Sequence, residues 1–403
     1  MGRRTIWLLT CFTLAAGCTT VSQRLNAPDV PVERWRPNAT RAALAAQVGP
    51  LVSTSDKVRD LDVRPASRPA AGAPAIAAAV PGGDPRDDGF FVGVAVSGGG
   101  SRSANFAAAC MFHLQRLGLL ERADYISAVS GGSLAAAYYC ATTDAEWNPA
   151  GVQRKLTHSF AGDVMLTTII PWNFIWMALS DWDRSDALAA SFQKVLFSRG
   201  GKALTFADLR ADRPRLLINA TDLQSGKSFI FCNEMFDQLN ADLARYPLAH
   251  AVAASSAVPV LLHQVTLRDF STIFEQYRHL VDGGVVDNLG VRTLVETYRA
   301  QIAASDGRAY EKGAVFIVID AKTNYDARIS SRGDTNLLDT LKFGAGLTST
   351  VLLNRASSAT LAEIILDSSP DNATAATLRR ERDQLMNEGY VRLENIAGRP
   401  VHV

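Results

Sequence analysis

The chain reads as an α/β three-layer (α/β/α) sandwich, and three observations carry that expectation. From Phe90 onward, short β-rich apolar runs alternate with stretches of helical spacing or composition. Two of the run-to-helix transitions, Val96-Ser-Gly-Gly-Gly-Ser-Arg102 and Val129-Ser-Gly-Gly132, pass through glycine-rich turns of the kind that join a buried strand to a helix. Hydrophobic residues make up 47% of the 403, ample for the two apolar layers of a sheet covered on both faces.

In chain order, Arg3 and Arg4 precede an uncharged apolar stretch, Ile6–Ala16, that is too short to span a bilayer, which predicts a cleaved export leader over residues 1–17. Residues 18–87 follow as an Ala/Pro-rich tether, because Arg64-Pro-Ala-Ser-Arg-Pro-Ala-Ala-Gly-Ala-Pro74 and Pro81-Gly-Gly-Asp-Pro85 interrupt any periodicity. The folded unit is expected over 88–403 as one domain. Its strands are expected at Phe90–Val96, in the run that ends at Val129, and at Arg215–Ala220, Phe229–Phe231 and Val315–Ile319. Its helices are expected at Ser103–Leu117, Leu134–Cys140, Leu248–Ser255 and Val291–Ala304. A C-terminal helical region is expected over Leu337–Asn354, Ala356–Ile365 and Asn372–Asn387.

Composition narrows the function. With 41 basic against 40 acidic residues the net charge is +1, which provides no field for nucleic acid. Cys110, Cys140 and Cys232 sit in apolar surroundings with no Cys-x-x-Cys or His-rich spacing, so neither a metal nor another cofactor is expected.

The chemistry concentrates in three places. Ser130 stands between an apolar run and an alanine-rich helical one, where a nucleophilic serine is presented on a sharp turn with free helical N–H groups beside it. Gly98, Gly99 and Gly100 end another apolar run, and their N–H groups together with that of Gly131 are the expected oxyanion donors. A nucleotide-binding reading of these glycines fails. Position 103 is serine where the dinucleotide fingerprint has its third glycine, and Ser225-Gly-Lys-Ser228 has Thr221 where a P-loop has glycine. Asp282 closes the third apolar run at Leu280-Val-Asp-Gly-Gly284, where it serves either as a base or as the start of a Gly-Gly turn.

In this order the three motifs resemble the patatin-like phospholipase family, with its Gly-Gly-Gly-x-Arg loop, serine elbow and Asp-Gly-Gly motif. Asn219-Ala-Thr-Asp-Leu223, Gly226-Lys-Ser-Phe229 and Ala253-Ala-Ser-Ser-Ala-Val-Pro259 agree with its linking segments, so the likeness runs over roughly residues 88–322. Ala128 and Ser103 stand where the family often has glycine. The resemblance implies a patatin-type fold and a serine-dependent hydrolase that cleaves acyl esters of phospholipids or related lipids. Ser130 would be its nucleophile and Asp282 its base, and Arg102 would orient the loop or meet a lipid phosphate. The competing reading is a catalytically weak lipid-binding or scaffold protein.

Histidine placement favours a Ser–Asp dyad. After Asp282 the one histidine is His402, next to the last residue, where a frayed end is a poor place for a precise base. Leu14-Ala-Ala-Gly-Cys18 resembles a bacterial lipoprotein signal, with Ala15 in place of the usual leucine. It implies an exported chain anchored to a membrane through lipidated Cys18, and Thr19 implies the outer membrane if the cell has one. Finally, Ile169–Trp182 holds three of six tryptophans. Pro171 would open a helix with Trp172, Ile175, Trp176 and Leu179 on one face, suited either to lipid contact or to a core.

Overall fold

The computed structural model describes residues 86, 88–173, 179, 182–259, 261–271, 276–305, 308–321, 392–396 and 399–402. The leader, Cys18, Ile175, Trp176, the C-terminal helical region and, apart from Arg86, the tether lie outside the described residues.

The central sheet is mixed. Its strands are β1 (Phe90–Val96), β2 (Tyr125–Val129), β3 (Arg215–Asp222), β4 (Lys227–Phe231), β5 (Val265–Asp269), β6 (Gln276–Asp282), β7 (Gly313–Ile319), β8 (Arg392–Ile396) and β9 (Arg399–His402). They lie in the order β8-β9-β7-β1-β2-β3-β6-β5, with β4 paired to β3. The run β9-β7-β1-β2-β3 is parallel, and β4 and β6 flank β3 antiparallel.

The helices are α1 (Gly100–Arg116), α2 (Gly131–Ala141), α3 (Pro149–Leu156), α4 (Phe160–Ile169), α5 (Arg184–Val195), α6 (Asn233–Gln238), α7 (Leu248–Ser255) and α8 (Val291–Ala304). Strand alternation sorts them into layers. Val92, Val94 and Val96 of β1 join the larger core with α1, α2, α5 and α7, whereas Phe91 and Ala95 join the second core with Leu294, Tyr298 and Phe316 under α8. Every residue of α2 is buried, which explains its run of alanines, because a helix enclosed on all sides has no polar face.

The layered sheet matches the expectation, but the last residues are not a frayed end. Arg399–His402 forms β9, which pairs in parallel with β7 through Val401↔Ala314 and His402↔Val315 and in antiparallel with β8. Val401 is fully buried beside Phe316 and Ala314. A terminus held by two ladders and a core side chain does not fray, so the reason first given for setting His402 aside is wrong.

Candidate active site

Two strands bring Ser130 and Asp282 together by sharing one edge of β3. β4 occupies the other edge, alongside Ile218–Asp222. β2 runs up the shared edge and ends with Val129 opposite Asn219, while β6 runs down it and ends with Asp282 opposite Ala220. The strand ends meet head-on, and the residue after one faces the last residue of the other. Ser130 Oγ donates to Asp282 Oδ2 at 2.7 Å.

Both groups are enclosed, Ser130 being 6% exposed and Asp282 1%. Ser130 has φ 51° and ψ −128°, a left-handed conformation for a non-glycine residue that costs on the order of 1–3 kcal/mol. The surroundings hold it there. Its N–H donates to Ser255 Oγ (2.8 Å), and α2 begins at Gly131, so Ser130 stands at the positive end of a buried helix. Burial pushes the Asp282 carboxyl up to about 6, against the lowering effect of hydrogen bonds from Ser130 and from the Gly284 N–H. A carboxylate titrating there is a better base than one near 4, yet still ionised at neutral pH.

The glycine loop abuts the elbow. A Cβ on Gly131 would stand 2.1 Å from Gly100 O, and one on Gly98 would stand 3.3 Å from Ser130 Cβ, so α2 and the loop touch through backbone. Among the described residues, the N–H groups of Gly99, Gly100 and Gly131 have no protein acceptor. Gly98 was expected among these donors, but its N–H is bound to Asn288 O at 2.9 Å. Gly98 is therefore not a donor, and its missing side chain leaves room chiefly for the Asn288 side chain, with Ser130 Cβ next to it. Arg102 Nε donates to Ala321 O (3.1 Å), which ties the start of α1 to the exit of β7, a loop-holding contact. Asp287 caps α8 by accepting from the N–H groups of Leu289, Gly290 and Arg292.

Sequence reasoning passed over the polar lattice behind the elbow. Asn219 Nδ2 donates to Ser127 Oγ (2.9 Å) and Ala128 O (3.0 Å), its Oδ1 accepts from Thr293 Oγ1 (2.7 Å), and its carbonyl accepts from Ser255 Oγ (2.6 Å). All these residues are buried and paired, so the lattice stiffens the site without an unsatisfied group. The available signal was polar residues inside otherwise apolar strand and helix patterns.

No histidine among the described residues hydrogen-bonds to Ser130 or Asp282. His402 fails on topology, because it pairs at the start of β7 whereas the site lies at the Ile319 end, reached through Ser97 N to Ile319 O. Six residues along the strand direction and three strand spacings across put its backbone roughly 25 Å from Ser130. His279 meets Thr266, and His158 meets Asp163. Among the described residues there is no group of three or more His, Cys, Asp or Glu placed to hold a metal, Cys110, Cys140 and Cys232 form no disulfide, and no helix is long and apolar enough to cross a membrane.

In comparison with known proteins, no curated sequence matches the chain. Among solved structures it is similar to human GIVD cytosolic phospholipase A2, at 17% identity over 42% of this chain and 28% of that one with a TM-score of 0.30. It is also similar to VipD from Legionella pneumophila, at 14% identity over 50% of this chain and 46% of that one with a TM-score of 0.25. The chain thus matches less than half the length of either protein. The sequence model described as patatin-like phospholipase matches residues 94–295, half of the chain and the whole span from the glycine loop through Ser130 to Asp282, and on that match the chain belongs to the patatin-like phospholipase family.

Proposed function

We propose that the protein is a serine-dependent lipid acyl hydrolase in which Ser130 and Asp282 form a catalytic dyad that cleaves carboxylic esters of phospholipids or related lipids. The observation that carries this reading is the buried 2.7 Å bond from Ser130 Oγ to Asp282 Oδ2. As Ser130 Oγ attacks the ester carbonyl, its proton passes to Asp282, and the oxyanion faces the N–H groups of Gly99, Gly100 and Gly131. Collapse breaks the ester C–O bond, Asp282 returns the proton to the leaving alkoxide, and the acyl group remains on Ser130. Water then attacks the acyl-enzyme, its proton goes to Asp282 and on to Ser130 Oγ, and the fatty acid leaves. A fluorophosphonate probe tests the reading. Labelling of the full chain should map by mass spectrometry to Ser130 alone, and a chain that stays unlabelled at Ser130 contradicts the assignment.

A lipid surface as the source of substrate is supported by α4. Leu166 is 66% exposed and Trp172 78%, with Met165, Ile169 and Ile170 exposed beside them, and Val164–Ser180 contains no charged residue. Clustered exposed apolar side chains of this kind mark an interaction surface, and an exposed Trp suits a membrane interface. The exposure of Trp172 favours contact at the surface over a core role.

Leu166→Asp combined with Ile169→Asp is expected to slow hydrolysis of phospholipid vesicles at least tenfold while leaving a short soluble ester within twofold. Equal losses on both substrates would remove the surface from the function.

We further propose that the chain is exported and anchored through acylated Cys18, in the outer membrane where the cell has one, with residues 18–87 as spacer. The support is the Ala-Gly-Cys boundary behind a basic and apolar leader. The mass of the mature amino terminus checks it: an unmodified Cys18, or a cut elsewhere, rules the anchor out.

A further inference from the structure

We infer that Ser255 is a positioning residue that locks the Ser130 elbow in register with the Asp282 turn. The inference rests on the reading of Ser130 and Asp282 as nucleophile and base.

Ser255 is the last residue of α7 and is fully buried. A hydroxyl has one proton to give, and that of Ser255 goes to Asn219 O at 2.6 Å. Its oxygen is therefore the acceptor for the Ser130 N–H at 2.8 Å, and Ser133 Oγ, at 3.3 Å, approaches the same oxygen as a donor. The Ser130 N–H belongs to the residue held at φ 51°, so the Ser255 oxygen grips the strained elbow itself.

The same short segment holds the partner. Two residues after Ser255, Ala257 O accepts the Asp282 N–H at 2.9 Å. The Asn219 carbonyl that receives the Ser255 proton lies against Gly283, where a Cβ would come within 2.3 Å of it. Ser255 to Ala257 thus fixes the backbone of nucleophile and base alike, through contacts on backbone atoms and none on Ser130 Oγ or the Asp282 carboxylate. Removing the Ser255 hydroxyl frees the elbow, leaves the Ser130 N–H without its acceptor, and lengthens the Ser130–Asp282 bond.

The test is steady-state hydrolysis of a soluble ester by the full chain carrying Ser255→Ala, with Ser133→Ala and Ser130→Ala beside it. Ser255→Ala is expected to lower kcat ten- to a hundredfold with KM within twofold. The acid limb of its pH profile should move above 6, because the Ser130 hydrogen bond is one of the contacts that keeps the Asp282 carboxyl from titrating higher still. A loss of packing alone would not shift that limb.

Ser133→Ala, which removes a neighbouring hydroxyl that does not touch the Ser130 backbone, should stay within threefold of the parent. Equal losses in Ser255→Ala and Ser133→Ala, or an unshifted limb with kcat intact, would overturn the inference. Should Ser255→Ala fail to fold, Ser255→Thr and Ser255→Val, matched in shape and differing by the hydroxyl, decide: a tenfold advantage for Thr supports it and equal rates refute it. Full activity in Ser130→Ala would instead sink the dyad itself.

Discussion

Ser130→Ala and Asp282→Asn are each expected to lower kcat/KM by two to four orders of magnitude, and the double variant to lose no more than the worse single one. Both groups act on one proton along one hydrogen bond, so removing either disables the same step, and the losses do not multiply. His402→Gln, by contrast, should stay within about twofold, because His402 sits at the far end of β7 from the dyad. Point substitution is the right probe. Deleting residues 401–403, which the sequence made look harmless, would strip buried Val401 from the second core.

The pH dependence follows from the same carboxyl. Asp282 must be ionised to accept the serine proton, and burial raises its pKa from 3.8 to about 6. Activity should therefore rise with pH through about 6 and then level off, whereas an ordinary carboxylate would give a limb near 4.

Stability runs the other way. The folded pKa lies above the unfolded one, so the fold favours the protonated form, and the contribution present below pH 3.8 is lost as pH rises through 6. At pH 8 the ionised carboxylate costs up to about 3 kcal/mol. Asp282→Asn should accordingly be inactive yet melt higher than the parent at pH 8, with the difference shrinking toward pH 4. An inactive variant that also melts lower at pH 8 would mean that Asp282 is a structural residue whose loss unfolds the site.

What was legible in the sequence was whatever had a local backbone cause. A serine between a strand and a buried alanine helix, three glycines at a strand end and an Asp-Gly-Gly turn each announce a backbone that must bend or be approached closely, and that bending is visible in five residues. The pairing that gives these motifs meaning was not visible. Val129 and Asp282 meet because β2 and β6 occupy the same edge of β3, and they come from segments about 150 residues apart, which no periodicity encodes. The same holds for β9, a four-residue strand specified by β7 and a buried Val401 more than by its own composition. Ser255 and Asn219 were noticed as segments and missed as parts, since an acceptor for the Ser130 N–H is definable only once the left-handed turn exists. Gly98 shows the reverse limit, as its type was right and its N–H was already taken by Asn288.

Gly131→Ala should reduce kcat/KM by two to three orders of magnitude while Ser130 and Asp282 remain in place. The methyl group would stand 2.1 Å from Gly100 O, 2.5 Å from Gly100 C and 2.7 Å from Gly100 Cα, all backbone, so no side chain can turn aside to admit it. The glycine loop must move off the start of α2. That separation breaks apart the Gly99 and Gly100 N–H groups from that of Gly131, and loss of one well-aimed oxyanion donor lowers kcat by about 10²–10³. The accompanying overpacking is worth roughly 1–3 kcal/mol, enough to lower the melting temperature without unfolding the chain.

Gly226→Ala supplies the comparison. Gly226 has φ 64° with nothing within 4 Å of its Cβ position, so alanine there strains the backbone in a turn away from the glycine loop. It should lower stability by about 1 kcal/mol and leave kcat unchanged. Rates on a soluble ester, fluorophosphonate labelling and melting temperature, measured on both variants, separate lost donors from lost stability. A folded Gly131→Ala variant with kcat/KM within threefold of the parent would show that the N–H groups of the loop and of α2 do not act together on the oxyanion.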